Sequence, residues 1–85
     1  MRVRIPTPLR SYTDAAVVEA EGDTLDDVLT DLDRSFPGIR FRVVDEQGRL
    51  RQHMKIFVGT EIERDLTTVV TGIEEITLMQ ALSGG

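Results

Sequence analysis

Residues 2–10 alternate, with Val3, Ile5, Thr7 and Leu9 on one side and Arg2, Arg4, Pro6, Pro8 and Arg10 on the other. That period of two predicts a half-buried strand. Pro6 and Pro8 carry no amide hydrogen, so the second half of the strand is expected at a sheet edge or out of the ladder. Ser11 to Asp14 reads as a turn, and Ala15 to Ala20 as a second strand with Ala16, Val18 and Ala20 on one side. The two strands make a hairpin. The period then lengthens: Leu25, Val28, Leu29, Leu32 and Phe36 form a single stripe at helical spacing. Thr24 with Asp27 is a capping box with Asp in the place of Glu, Asp26 and Asp27 fall in the first turn and Arg34 in the last, as the helix dipole favours, and Pro37-Gly38 ends the helix.

Ile39 to Val44 returns to alternation, with Ile39, Phe41 and Val43 facing one way and Arg40 and Arg42 the other, and is expected to be a strand. Asp45 to Gly48 is a polar turn, Met54 to Val58 a further strand, and Glu75 to Leu82 the last. Residues 59–72 have weak periodicity and are expected to form a loop with a helical turn. The predicted order, β-β-α-β-β-β, is that of an α+β fold with a mixed sheet covered on one face by one main helix. A ubiquitin-like β-grasp fits it best. A ferredoxin-like βαββαβ order ranks second, since it needs a full helix in 59–72, where Thr67 to Gly72 is poor helical material. The expected organisation is one β-grasp domain over 1–82 and a flexible Gly-Gly tail over 83–85.

If the helix covers Val3, Ile5, Val18, Phe41, Ile56, Val58, Ile76 and Leu78, the other face collects Arg2, Arg4, Arg40, Arg42, Lys55, Phe57 and Met79. Five of the ten basic residues then share one surface of a chain whose net charge is −5. Alternating charge on an outer sheet face is also what water alone selects. Phe57 and Met79 carry more information, because large apolar side chains turned outward together mark interaction sites. With Ala81 and Leu82 these residues are the candidate docking surface for a protein partner.

The acidic balance argues against nucleic acid and anionic membrane as partners. The absence of cysteine excludes disulfides, thiolate metal sites and a cysteine nucleophile. No segment has a signal-peptide or membrane-span pattern, so the cytoplasm is the expected compartment. His53 has no second histidine or cysteine to make a metal site and reads as a surface residue. Asp23, Asp26, Asp27, Asp31 and Asp33 match no calcium-loop pattern, and no phosphate loop or nucleophile elbow is present. No catalytic residue, metal or bound cofactor is expected.

What remains is the closing Ser83-Gly84-Gly85. Glycine has no Cβ, so such an arm can thread a narrow channel and present a carboxylate at close range. Ile5-Pro6-Thr7-Pro8-Leu9-Arg10, Gly22-Asp23-Thr24-Leu25, Phe36-Pro37-Gly38-Ile39 and Gly84-Gly85 together resemble the ubiquitin-like sulfur carriers. That family includes the small subunit of molybdopterin synthase and the thiamine and cysteine-biosynthesis carriers. The resemblance implies that an E1-like enzyme uses ATP to adenylate the Gly85 carboxylate, and that a sulfur donor displaces AMP to leave a thiocarboxylate. It implies two kinds of partner: the activating enzyme, and a sulfur-accepting biosynthetic enzyme or large synthase subunit. The chain would be a carrier rather than an enzyme. The alternatives are a ubiquitin-like modifier that forms an isopeptide bond through Gly85, and a non-catalytic interaction domain with an inert tail.

Overall fold

The computed structural model describes residues 1–81, so Leu82, Ser83, Gly84 and Gly85 lie outside the described residues. Five strands form one sheet: β1 (Arg2–Arg4), β2 (Val17–Glu19), β3 (Met54–Val58), β4 (Glu61–Glu63) and β5 (Glu75–Gln80), in the order β2-β1-β5-β3-β4. β1 and β5 run parallel, and the other three pairings are antiparallel. Three helices complete the fold: α1 (Arg10–Thr13), α2 (Leu25–Ser35) and α3 (Ile39–Val43). The mixed sheet with helices packed on one face is the β-grasp arrangement that the element order predicts.

The proline pair cuts the first strand short. β1 stops at Arg4, and Thr7–Leu9 winds into a 3-10 turn with proline in its first positions, a place where the missing amide costs nothing. It runs on into α1, so residues 11–13 are helical rather than a simple turn, with Asp14 closing the helix in the left-handed region at φ 54°. Val3, Ile5 and Leu9 are still buried, but Thr7, expected on the same side, is exposed on the 3-10 turn.

α2 follows its sequence closely. The Thr24 hydroxyl accepts a hydrogen bond from the Asp27 amide at 3.2 Å, and the Asp27 carboxylate accepts one from the Thr24 amide at 3.3 Å. Leu25, Val28, Leu29 and Leu32 are buried against Val3, Ile5, Met54, Ile56, Ile76 and Leu78 in one hydrophobic core. Gly22 is required by the close approach of the chain to this helix start, because a Cβ there would lie 2.5 Å from the Val28 nitrogen.

Ile39 to Val44 is a helix where alternation predicts a strand. The segment Ile-Arg-Phe-Arg-Val satisfies both periods, since Ile39 and Val43 share a face at i, i+4 as well as at i, i+2 steps. Asp33 decides between them: one carboxylate oxygen accepts from the amides of Gly38 and Arg40, both at 3.0 Å, and so starts the turn. Gly38, at φ 98°, supplies the left-handed entry. Ile39 and Val43 are fully buried, and Phe41, expected in the core, is 56% exposed.

A fifth strand is therefore found elsewhere. β4 lies inside the stretch expected to be loop, paired to β3 through the two-residue turn Gly59-Thr60, with Gly59 at φ 60°. The helical period at residues 39–43 predicts that Ile39→Ala lowers unfolding free energy by about 2–5 kcal/mol, whereas Phe41→Ala costs under about 1 kcal/mol. Urea denaturation of the two variants checks this; equal losses would restore the strand.

Candidate functional site

β5 occupies the middle of the sheet and carries the chain to the tail. Arg2, Val3 and Arg4 pair with Glu75, Ile76 and Thr77 on one side, and Met54 to Val58 pair with Gln80 back to Ile76 on the other. Beyond the strand the Ala81 amide donates to the His53 carbonyl at 2.8 Å, the last backbone bond that the described residues record. The candidate site residues Leu82, Ser83, Gly84 and Gly85 follow directly, outside the described residues.

The register assembles the open face of the sheet row by row. Directly paired residues share a face, so Val17, Arg4, Thr77, Phe57 and Ile62 form one row across all five strands. Glu19, Arg2 and Glu75 form the next on one side, and Met79 with Lys55 the next on the other. Arg2, Arg4, Lys55, Phe57 and Met79 thus meet on the open face, as the alternation predicts. Met79 is 47% exposed and Phe57 half-buried. Ile62, 56% exposed, joins them although the sequence reading passed it over. The signal for it was the Gly-containing two-residue turn after Val58, followed by Glu-Ile-Glu.

Arg40 and Arg42 are not on this face. Both lie on α3, because that segment is helical. The Arg40 guanidinium reaches back to the Asp26 carboxylate of α2 at 2.5 Å and ties the two helices together, whereas Arg42 is exposed. Ala81 is exposed at the root of the tail.

The charge on the open face is less basic than its arginines suggest. Glu75 sits between Arg4, at 3.0 Å, and Arg2, at 3.4 Å. The hydrogen bond from Arg4, helped by that from Arg2, holds the Glu75 carboxyl below the usual glutamate range. What this face presents is an apolar strip of Phe57, Ile62 and Met79 beside an arginine pair already engaged with one carboxylate. Next to it, where β1 has stopped and β5 continues, a groove of about 300 Å³ is lined by Arg4, Pro6, Pro8, Leu78, Met79 and Gln80 among others.

Three of the acids on α2 are occupied in structural work. Asp31 accepts from the Glu21 amide at 2.9 Å and pairs with Arg34, Asp27 caps α2, and Asp33 caps α3. Among the described residues no group of three or more histidines, cysteines or acids could hold a metal ion. His53 is on the surface. Among the described residues, no helix is long and apolar enough to cross a membrane.

Comparison with known proteins agrees along the whole chain. The ThiS family model matches residues 3–85. The sulfur carrier protein CysO of Mycobacterium tuberculosis is 36% identical over 89 residues, covering 98% of this chain and 96% of its own length. In the crystal structure of the Amycolatopsis orientalis BexX/CysO complex, the matching chain has a TM-score of 0.89 at 31% identity, covering 99% of this chain and 98% of that one. The crystal structure of Mycobacterium tuberculosis CysO gives a TM-score of 0.88 at 33% identity, covering 95% and 98%.

The ion pairs around Glu75 generate a pH dependence. A carboxyl held below its unfolded value, about 4.3 for glutamate, stabilises the fold above that pH and loses its contribution as pH falls through the folded value. Glu75→Gln is expected to lessen the loss of stability between about pH 5 and pH 3, read by urea denaturation at each pH. A variant with an unchanged acid limb would show the carboxylate to be unengaged in solution.

Proposed function

The chain belongs to the ThiS family, and from that membership we propose that it is a sulfur carrier whose Gly85 carboxylate is the group that is activated and loaded. The observation that carries the reading is its similarity to CysO sulfur carriers over nearly the full length of both chains. Two further features support it. β5 ends one residue before Ala81 and so delivers the tail from the centre of the sheet. The chain contains no cysteine, so any sulfur it carries comes from outside.

The chemistry is acyl activation. A carboxylate is a poor acyl donor, because its leaving group would be an oxide. An oxygen of the Gly85 carboxylate attacks the α-phosphorus of ATP on the E1-like enzyme, the bond to pyrophosphate breaks, and an acyl-adenylate forms. Sulfide, HS⁻, then attacks the carbonyl carbon, AMP departs with the bonding electron pair, the remaining S–H proton is lost to solvent, and a thiocarboxylate remains. The chain contributes position and a docking surface, and the partner supplies the catalytic groups. This makes it a cosubstrate. The sulfur-accepting enzyme is the second partner, and the strip of Phe57, Ile62 and Met79 with Arg2, Arg4 and Lys55 is the surface proposed to meet the partners.

Ser83 and Gly84 are assigned to the narrow part of the arm. A side chain at Gly84 would widen it where an enclosing channel must pass close to the backbone. Gly84→Val is therefore expected to fold normally and to lose activation.

The test is ATP–pyrophosphate exchange with the E1-like enzyme of the native host. Full-length chain is expected to support exchange, and removal of Gly85 is expected to abolish it with the circular dichroism unchanged. Exchange that persists without Gly85 would contradict the assignment of the reactive carboxylate. Recovery of Gly85 in an amide bond to a lysine of another protein, with no sulfur-loaded form, would instead favour a modifier.

A further inference from the structure

A patch of reversed charge lies beside the root of the tail, and it is not part of the open sheet face. The Ala81 amide is bonded to the His53 carbonyl, which puts His53 where the chain leaves the sheet. Phe41, Arg42, Arg51 and His53 line one shallow pocket there. The Arg51 guanidinium carbon stands 4.6 Å from the centroid of the Phe41 ring, and its Nε donates to the Phe41 carbonyl at 2.8 Å. These two contacts fix the guanidinium across an outward-facing ring. Arg42 is exposed, and among the described residues neither Arg42 nor Arg51 joins an ion pair. Asp45 shares the neighbouring pocket with Arg49, Arg51 and His53. Its carboxylate accepts from the amides of Arg49 and Gln47, at 3.0 and 2.9 Å, and these bonds, with the charges of Arg49 and Arg51, hold its carboxyl below the usual aspartate range, so Arg51 is partly balanced and Arg42 is not.

Three features need a common explanation. The helix α3 turns Phe41 outward when the same segment as a strand would have buried it. A large exposed ring braced by an arginine is preorganised for contact, since little side-chain freedom is left to lose on binding. On a chain of net charge −5, two arginines outside every recorded ion pair, Arg42 and Arg51, share one pocket beside the root of the tail, whereas Arg10 and Arg64, also outside them, are engaged with backbone carbonyls. An enzyme that encloses the tail must also close around its root, so these groups fall at the mouth of its channel.

Resting on the carrier reading above, we infer that Phe41, Arg42 and Arg51 form a second docking surface, a collar that seats against an acidic rim with an apolar notch around the tail channel of the activating enzyme. The activating enzyme is the occupant because it receives an anionic carboxylate beside the phosphates of ATP. Attraction at the root offsets the repulsion at the tip, and rim charges of this kind chiefly raise the rate of encounter. Phe41 adds a contact that salt does not weaken. The collar therefore has a double signature: one part screened by salt, the other not.

The experiment is ATP–pyrophosphate exchange with the E1-like enzyme of the host, measuring kcat and KM for full-length carrier at low and high ionic strength. Arg42→Glu and Arg51→Glu are each expected to raise KM about tenfold at low salt, with kcat little changed and the difference fading at high salt. Phe41→Ala is expected to raise KM at both ionic strengths. Arg34→Glu, on the exposed face of α2 and paired only with Asp31, serves as the control and leaves KM unchanged. Circular dichroism of each variant confirms folding, and Arg42→Glu, which breaks no recorded ion pair, keeps the test valid if Arg51→Glu is unstable. Unchanged KM in Arg42→Glu and Phe41→Ala, with exchange still dependent on Gly85, overturns the collar and leaves the carrier reading standing. Normal activation followed by slow sulfur delivery from the same variants also overturns it, and assigns the surface to the acceptor enzyme. Failure of the unaltered chain to support exchange would overturn both.

Discussion

Ile76 and Leu78, each 1% exposed, fasten β5 to the core, and the position of everything functional depends on that strand staying in the centre of the sheet. Burying side chains of this size contributes about 1.5–3 kcal/mol each. Pairing on both sides adds direction: β1 fixes the register of Glu75 to Thr77 and β3 that of Ile76 to Gln80. A chain that leaves from a central strand has its point of departure fixed to within the stiffness of the sheet. The same strand presents Thr77 and Met79 on its other face, so one element sets both where the tail begins and part of the surface that a partner meets.

The helices determine what surrounds that exit. α2 closes the core through its leucine stripe, and its Asp26 and Asp33 reach across to hold α3 through Arg40 and the amides of Gly38 and Arg40. Through α3 the acidic helix α2 thus positions the one exposed phenylalanine on the helical layer, beside Arg51. A carrier has few catalytic duties, and here many of the described polar groups serve caps, turns and ion pairs. Sulfur transfer then needs from the fold a fixed root and a surface that can be recognised, and the partner enzymes supply the chemistry.

The sequence made some elements plain and hid others for identifiable reasons. α2 was legible because stripe, capping box and dipole charges all agree on a helix that opens at Leu25; it ends at Ser35, with Phe36 as its C-cap. β3 was legible over its full length and β5 over Glu75–Gln80, because their alternation is uninterrupted, although the last strand was expected to continue through Ala81, which lies outside it. Ile39 to Val43 was misread because its five residues fit a strand and a helix equally well by pattern, and the deciding hydrogen bonds come from Asp33 in another helix. β4 was missed because three residues at a sheet edge carry almost no periodicity of their own, and its existence depends on β3 beside it. For the candidate site, the terminal glycines were legible as residues, and Arg2, Arg4, Lys55, Phe57 and Met79 as a face. Ile62, Phe41 and Arg51 were not, because a β-hairpin and a helix-to-loop contact bring them into place.

The central claim is that Gly85 carries sulfur, and the intact mass of the chain isolated from its native host tests it most directly. The account predicts a fraction heavier by the exchange of one oxygen for one sulfur, with fragmentation placing the change on Gly85. It also predicts that the fraction disappears when the E1-like enzyme is removed from the host. A chain that carries only the plain carboxylate under conditions where a known carrier from the same cells is loaded with sulfur would contradict it.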